Sequence, residues 1–272
     1  MSKISVLTLV KGRGKALTNF LAGLKASRKL PDELVIVFMN EPIRAIPEMP
    51  FEVKCLEHRV SEQLPLAAAR NVAAAAASGD FLVFLDVDCI ADPELIGHYY
   101  QEIEQEKLLV GQVRYLRKST TERANFLQHL IAYSDPDPIR GEMNTIPYEL
   151  FWSLNFGCRK AVYRQIGGFD ESFHGYGGED TDFAFSARLK GVQLQVVGAV
   201  AYHQYHESYS PPLNHFADIV ANAEVFFLKW QTWPMEGWLR RFKEMGLLEK
   251  SAERLIVKRF PEAVEIERAL KI

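Results

Sequence analysis

The sequence predicts an α/β fold, a mostly parallel sheet flanked by helices with a helical C-terminal extension. Three observations carry this. Apolar, β-branched runs of strand length alternate with segments whose apolar residues recur at helical spacing. Several strand runs lack the apolar–polar alternation of a sheet with one wet face, so both faces are covered, as in parallel sheets. From Pro211 onward the pattern is helical.

The elements follow in order. "ISVLTLV" (Ile4–Val10) ends at Lys11-Gly12 and reads as a buried strand. Leu17, Phe20, Leu21 and Leu24 then recur at helical spacing. "ELVIVFM" is a second buried strand and "FEVKCLE" a weaker third. "LPLAAARNVAAAAASG" is an Ala-rich helix expected to close at Gly79. "DFLVFLDVD" is a fourth strand. "DPELIGHYYQEIEQE" begins with an Asp cap and an early Pro, as helices do. "KLLVGQVRYL" returns as a strand. "DPDPIRGEMNTIP" reads as a mobile loop near a site. "LFWSLNFGC" is a strand, and "RKAVYRQIGGFDESF" a short helix stopped by a Gly pair. The helix after "GYGGED" runs to about Gly191, followed by separate strands in "VQLQVV" and "AVAYH".

Composition excludes several classes. The chain has 272 residues, 48% hydrophobic and 25% charged, as in an ordinary globular protein. A net charge of −3 offers no bulk positive field for nucleic acid. The N-terminus does not read as a signal peptide, and no apolar run is long enough to span a bilayer. Cys55, Cys89 and Cys158 are widely spaced and odd in number, which fits reduced thiols and a cytoplasmic location.

Three clusters could carry chemistry. Asp86 and Asp88 follow a buried strand, where open α/β sheets place their ligands. Alternation puts both on one side, and hard oxygen donors suit Mg²⁺ or Mn²⁺ beside a diphosphate. By itself the pair reads more readily as loop acids capping the next helix. His203 and His206 close a late strand. Glu179, Asp180 and Asp182 sit behind a Gly pair at the start of a helix. They read either as acids complementing the helix dipole or as catalytic groups. "VKGRGKAL" has neither phosphate-loop nor dinucleotide spacing, although Arg13 and Arg70 could meet phosphate by charge-assisted hydrogen bonds.

Together these segments resemble the inverting, metal-dependent glycosyltransferases of family 2, with the GT-A fold, a Rossmann-like sheet. "SVLTLVKGR", "AAARNVAAAAASGDFLVFLDVD" and "ADPELI" carry the first half. "NFGCRKAVYRQIGGFDESFHGYGGEDTDFAFSARLKG" and "GAVAYHQ" carry the second, which looks like galactosyltransferase-type and chondroitin-polymerase-type domains. The resemblance covers about Lys3 to His206. It implies a catalytic domain over 1–212, with its nucleotide-sugar part at about 1–118 and its acceptor part at about 150–206, and a helical extension over 213–272.

The resemblance also implies roles. Asp180 matches the general base and Glu179 an acid binding acceptor hydroxyls. Tyr176 would stack on a sugar, and Gly177 and Gly178 would let backbone approach it. Asn155, Arg159 and Asp170 would line the substrate wall. Thr8, Val10, Arg13, Glu41, Arg70, Asn71 and Asp86 would hold the nucleotide, and Asp88 and His203 a Mn²⁺ or Mg²⁺ ion, with His206 the rival ligand. Where relatives place Asp after the second strand, this chain has "FMNEP" and Glu41. Where many have Trp before GGED, it has Tyr176, and where some carry a metal-binding Met, it has Val200.

The implied partners are a nucleotide-sugar donor, UDP-linked and of Gal, GalNAc, Glc or GlcNAc type, and a saccharide or glycolipid acceptor. The competing readings are a sugar-1-phosphate nucleotidyltransferase and a non-catalytic sugar-binding relative. In the tail, Trp233, Trp238, Leu239 and Phe242 either pack on the catalytic domain or meet a membrane surface with Arg240, Arg241 and Lys243. Packing is the expectation, and peripheral contact with the inner face of a membrane the alternative. The sequence leaves the oligomeric state open.

Overall fold

The computed structural model describes residues 2–60, 63–141 and 143–271. The first half builds a parallel sheet. Strands β1 (Ile4–Val10), β2 (Glu33–Met39), β3 (Glu52–His58) and β4 (Phe81–Leu85) lie in the order β3-β2-β1-β4. Helices α1 (Gly14–Lys25) and α2 (Leu66–Ala76) make the crossovers. β1, β2 and β4 are almost wholly buried, which explains their unbroken apolar runs. Phe20, Leu21 and Leu24 of α1 pack on one face of the sheet, and the alanines of α2 on the other.

The second half extends the sheet with mixed directions. After β4 come β5 (Cys89–Ala91), α3 (Leu95–Gln101), β6 (Leu108–Leu116) and β7 (Ser134–Pro136), then β8 (Asn155–Arg159), α4 (Lys160–Ile166), α5 (Glu179–Leu189) and β9 (Leu194–His203). The order continues β4-β8-β6-β9-β5, with β7 beside β6. β8 runs antiparallel to both β4 and β6, whereas β6 and β9 are parallel. β4, β6 and β9 thus end at one rim of the sheet, and β8 begins there.

Several sequence expectations change in detail. The two strands read in "VQLQVV" and "AVAYH" are one strand, β9. It shifts register against β6 between Gly111 and Gln112, so Gly111 faces Val197 while Gln112 faces Val200. α2 ends at Ala76, before Gly79, and its cap residue Ala77 is already extended. Gly79 serves a different need, since a Cβ there would lie 2.4 Å from Ser5 Oγ and 2.8 Å from the Lys3 carbonyl. β8 starts only at Asn155, after a short 3₁₀ turn at Tyr148–Leu150. The segment read as a mobile loop is anchored. Asp137 and Arg140 form a buried pair at 3.0 Å, and Arg140 lies 4.1 Å over the Trp152 ring. Glu142, within that segment, is outside the described residues.

The tail is not purely helical. α6 (Phe216–Trp230) and α7 (Glu236–Glu244) lead into a hairpin of β11 (Leu248–Lys250) and β12 (Leu255–Val257), then α8 (Ala263–Ala269). A last strand, β13 (Leu270–Lys271), pairs with β10 (Ser208–Tyr209), shortly after β9. Phe216, Ile219, Leu239, Phe242 and Leu247 form a separate apolar core, and Tyr176 packs against it.

Candidate active site

Two acidic groups meet at the rim where β4 ends and β8 begins. Asp86 directly follows β4, and its N–H donates to the Leu154 carbonyl at 2.9 Å. The neighbouring Ser153 N–H donates to the Asp180 carboxylate. One short backbone segment therefore touches both the Asp86-Val-Asp88 turn and the start of α5. The charges of Glu179, Asp180 and Asp86 also reach the Tyr176 hydroxyl, whose pKa burial already pushes up.

At the start of α5, Glu179 is buried and paired with buried Arg70 of α2 at 3.0 Å. The Arg70 guanidinium also lies 4.8 Å over the Phe169 ring. Asp180 has no such partner. It accepts a hydrogen bond from its neighbour Thr181 N at 2.7 Å and keeps part of its surface accessible. Burial, then the Glu179 charge, push its carboxyl up to about 7, against Arg70 and the backbone donors of Thr181 and Ser153. Asp182 is sequestered under α6, where Trp230 Nε1 donates to it at 2.7 Å and Lys229 Nζ at 3.0 Å. The three acids thus divide. Glu179 and Asp182 are held by cations, and Asp180 is left available.

Gly177 and Gly178 lie in the left-handed region, with φ of +95° and +92°. A Cβ on Gly177 would meet Met235 Sδ at 2.9 Å, and one on Gly178 would meet Phe173 Cε1 at 3.2 Å. The Tyr176 ring stacks with His215 at 4.5 Å and Trp238 at 6.0 Å between centroids, both from the tail.

The second group surrounds Asp88. Its N–H donates to Asp86 Oδ1 at 2.8 Å, and its carboxylate meets Arg13 Nε at 3.0 Å. Burial, then the Asp86 charge, push the Asp88 carboxyl up to about 6, opposed by Arg13 and His206. His206 Nε2 stands 3.8 Å from Asp88 Oδ2, and the His203 and His206 rings lie 5.2 Å apart. His203 closes β9 opposite Cys89 and beside Tyr115. Burial holds its pKa down to about 4, so it is a neutral imidazole near pH 7.

Carboxylate and imidazole donors fit Mn²⁺ or Mg²⁺ chemically. Among the described residues, no group of three His, Cys, Asp or Glu side chains is arranged to hold an ion. The chain offers part of a coordination shell, of the kind that substrate phosphates and water complete.

Beside Asp88 lies a cavity of about 320 Å³, lined among others by Arg13, Lys15, Asn19, Arg117, Lys118 and Gln204. Gln204 ties it together. Its N–H donates to the Asp88 carbonyl at 2.6 Å, and its side chain accepts from Asn19 at 2.7 Å. The basic pair Arg117-Lys118 was not singled out from the sequence. It follows the end of β6, so the strand-end rule that found Asp86 and Asp88 also reaches it.

Other predicted residues lie elsewhere or do other work. Arg159 sits at the opposite end of β8, facing Phe81 in register and bonded to Glu104. Asn155 is buried and fully engaged, accepting from Tyr99 Oη and donating to the carbonyls of Gln112 and Ala199. Asn71 holds the Gly-Gly-Phe-Asp turn, with its side-chain oxygen accepting from Phe169 N and its side-chain nitrogen donating to the Phe169 carbonyl. Asp170 is taken up by Ser172 and Lys229. Arg70 serves Glu179. Thr8 and Val10 are buried in β1, with Thr8 Oγ1 lacking a hydrogen-bond partner. Glu41 accepts from Gly12 N at 2.6 Å, beside Arg13.

A family model described as glycosyl transferase family 2 matches residues 5–167, more than half of the chain. The chain belongs to glycosyltransferase family 2. A second family model, the N-terminal domain of galactosyltransferase, matches residues 143–209 and so spans α5 and His203. Chondroitin synthase of Escherichia coli is 25% identical over 236 residues, covering 74% of this chain but 34% of that protein. Chondroitin synthase of Pasteurella multocida (strain Pm70) is 25% identical over 169 residues, 51% of this chain and 18% of that protein. The chain therefore spans about a third or less of these curated relatives. An uncharacterized glycosyltransferase, YwdF of Bacillus subtilis (strain 168), is 29% identical over 196 residues, 68% of each chain.

Among solved structures, S. aureus TarS 1-349 in complex with UDP superposes with a TM-score of 0.56 at 17% identity, covering 89% of this chain and 72% of that one. GalNAc-T7 with UDP, GalNAc and Mn²⁺ gives 0.59 at 14% identity, covering 90% of this chain and 54% of that one. These likenesses show the fold, GT-A, and with it the α/β class read from the sequence. The tail beyond residue 209 lies outside both family matches.

Proposed function

We propose that this family 2 chain transfers a sugar from a nucleotide-sugar donor to a hydroxyl of a saccharide or glycolipid acceptor, with inversion at the anomeric carbon. The observation that carries the reading is Asp180. Among the described residues it is the one acid of its motif without an ion-pair contact, poised near neutral pH and linked through Ser153-Leu154 to the Asp86-Val-Asp88 turn.

The reaction is a single displacement. Asp180 takes the proton of the acceptor hydroxyl as that oxygen attacks the anomeric carbon, and the bond from that carbon to the diphosphate oxygen breaks with its electrons leaving on the diphosphate. Arg70 holds the Glu179 carboxylate in place, where it accepts hydrogen bonds from acceptor hydroxyls. Arg13, Lys15, Arg117 and Lys118 line the cavity in which a diphosphate finds charge-assisted donors. Asp88 and His203 would hold the divalent cation, which when bound offsets charge on the leaving diphosphate. UDP-linked donors are the expected class. The neighbours solved with UDP, UDP-GlcNAc, or UDP, GalNAc and Mn²⁺ support this choice.

A panel of nucleotide sugars with Mn²⁺, scored by diphosphate release with and without saccharide mixtures, tests the proposal. Acceptor-stimulated release of nucleoside diphosphate is the expected result. Pyrophosphate release from a nucleoside triphosphate would mark a nucleotidyltransferase instead. Sugar binding without turnover would mark a binding protein.

A further inference from the structure

The loop that presents Asp180 is held from outside the catalytic sheet. Residues 174–178 include Gly175, Gly177 and Gly178, all at positive φ, so the loop has little conformational preference of its own. One side chain of the tail gathers it. Asn222 of α6 is 2% exposed. Its Nδ2 donates to the carbonyls of His174 and Gly177, each at 2.8 Å, and lies 3.4 Å from that of Tyr176. Its Oδ1 accepts from His174 N at 3.2 Å. α6 lies so close that a Cβ on Gly175 would sit 2.3 Å from the Asp218 carboxylate. The buried stripe of α6 runs Ile219, Asn222, Ala223, Phe226, and Asn222 is its one polar member. A polar residue in such a stripe costs stability unless bonded, and here every bond goes to the loop.

We propose that Asn222 is a positioning residue for the transfer reaction, setting the backbone that delivers Glu179 and Asp180. The inference rests on Asp180 being the base. Asn222 touches no reacting atom and acts only through residues 174–178. A shift of about 1 Å in a reacting group can cost about 10²-fold in rate. Loss of the clamp therefore lowers kcat and leaves binding of the nucleotide, at the far side of the site, in place.

The test compares the full chain with its Asn222→Ala variant, and with Phe242→Leu as a control for lost tail packing. Phe242 is fully buried in α7. Asn222→Ala should lower kcat by about 10–10²-fold, with the affinity for UDP and Mn²⁺ unchanged. Phe242→Leu should lower the melting temperature and keep kcat. Should Asn222→Ala fail to fold, Asn222→Ser, which keeps one donor, is read in the same way. Equal kcat in wild type and Asn222 variant, or equal loss in the Phe242 control, overturns the proposal. Hydrogen exchange separates this from the functional reading. Amides of residues 174–180 should exchange faster in the Asn222 variant, while those of β1 and β4 should not. Unchanged exchange at 174–180 overturns the clamp even in a protein that transfers sugar. Should the wild-type chain turn over no donor, the proposed function falls, and exchange alone decides the clamp.

Discussion

Asp180 shows how one carboxyl among three is set apart. Glu179 has Arg70, Asp182 has Lys229 and Trp230, and Asp180 has the backbone donors of Thr181 and Ser153 and, at 3.4 Å, the Thr181 hydroxyl. Its pKa of about 7 has a kinetic consequence. As the proposed base, Asp180 must be ionised to act, so kcat/KM should be flat above pH 7 and fall about tenfold per unit below it. Asp180→Asn should lose about 10²–10⁴-fold in kcat while calorimetry shows nucleotide binding unchanged. Near-wild-type turnover would return Asp180 to the role of a helix-start acid. The histidines give a second residue-scale prediction. His203 is held neutral by burial, and a neutral imidazole is the form that binds a cation. His206 Nε2 lies 3.8 Å from Asp88 Oδ2, with its Nδ1 against the Glu207 carbonyl. Mn²⁺-dependent UDP binding should therefore weaken more in His203→Ala than in His206→Ala, and the reverse order would assign the ligand to His206.

At the scale of elements, α5 is fixed by α6 through a charge network. Lys229 joins buried Asp182 to half-exposed Asp170, so it ties the acid-bearing helix to the Gly-Gly-Phe-Asp turn before it. Lys229→Ala leaves the Asp182 carboxylate with Trp230 alone. Because Lys229 is partly exposed, the expected loss is about 1–3 kcal/mol in urea denaturation. A Lys229→Ala chain as stable as wild type would show the network to be incidental. The elements themselves were legible where local pattern decides. Val6, Val10, Leu34 and Ile36 mark buried strands; Phe183 and Phe185 of α5 are buried too, but in separate clusters, and Leu189, of the same apolar run, is exposed. What could not be read depends on partners far along the chain. β5 is three residues long and exists by pairing with β9, over a hundred positions later. Gly79 is fixed by the approach of Lys3 and Ser5. The site was legible in the same measure. Strand ends and the glycine-acid motif located Asp86, Asp88 and Asp180. The spacing around Arg70, Asn71 and Asn155 could not show that their side chains turn inward to Glu179, the Phe169 backbone and Tyr99.

For the molecule as a whole, the tail decides whether the catalytic part can stand alone. It buries its own apolar core, lays Tyr176 against it, and returns through β13 to pair with β10. Leu239 and Phe242, two of the four residues considered for a membrane face, are fully buried, and Trp233 stacks on Phe227 while donating to the Ala252 carbonyl. Arg240 and Arg241 remain exposed on α7, but the apolar side of that helix is already spent on the protein. No helix among the described residues is long and apolar enough to cross a membrane. A chain cut before Leu213 would expose Tyr176 and the underside of α5, strip Asp182 of Lys229 and Trp230, and free the 174–178 loop. It should therefore aggregate or lose transfer entirely, as size-exclusion chromatography and the diphosphate assay would show. The intact chain should not co-sediment with anionic vesicles. Strong, salt-sensitive binding that disappears in Trp238→Ala with Arg240→Ala would mean that the exposed edge of α7 meets lipid despite its packed face. A soluble, active truncated chain would mean instead that the sheet orders its own acidic loop.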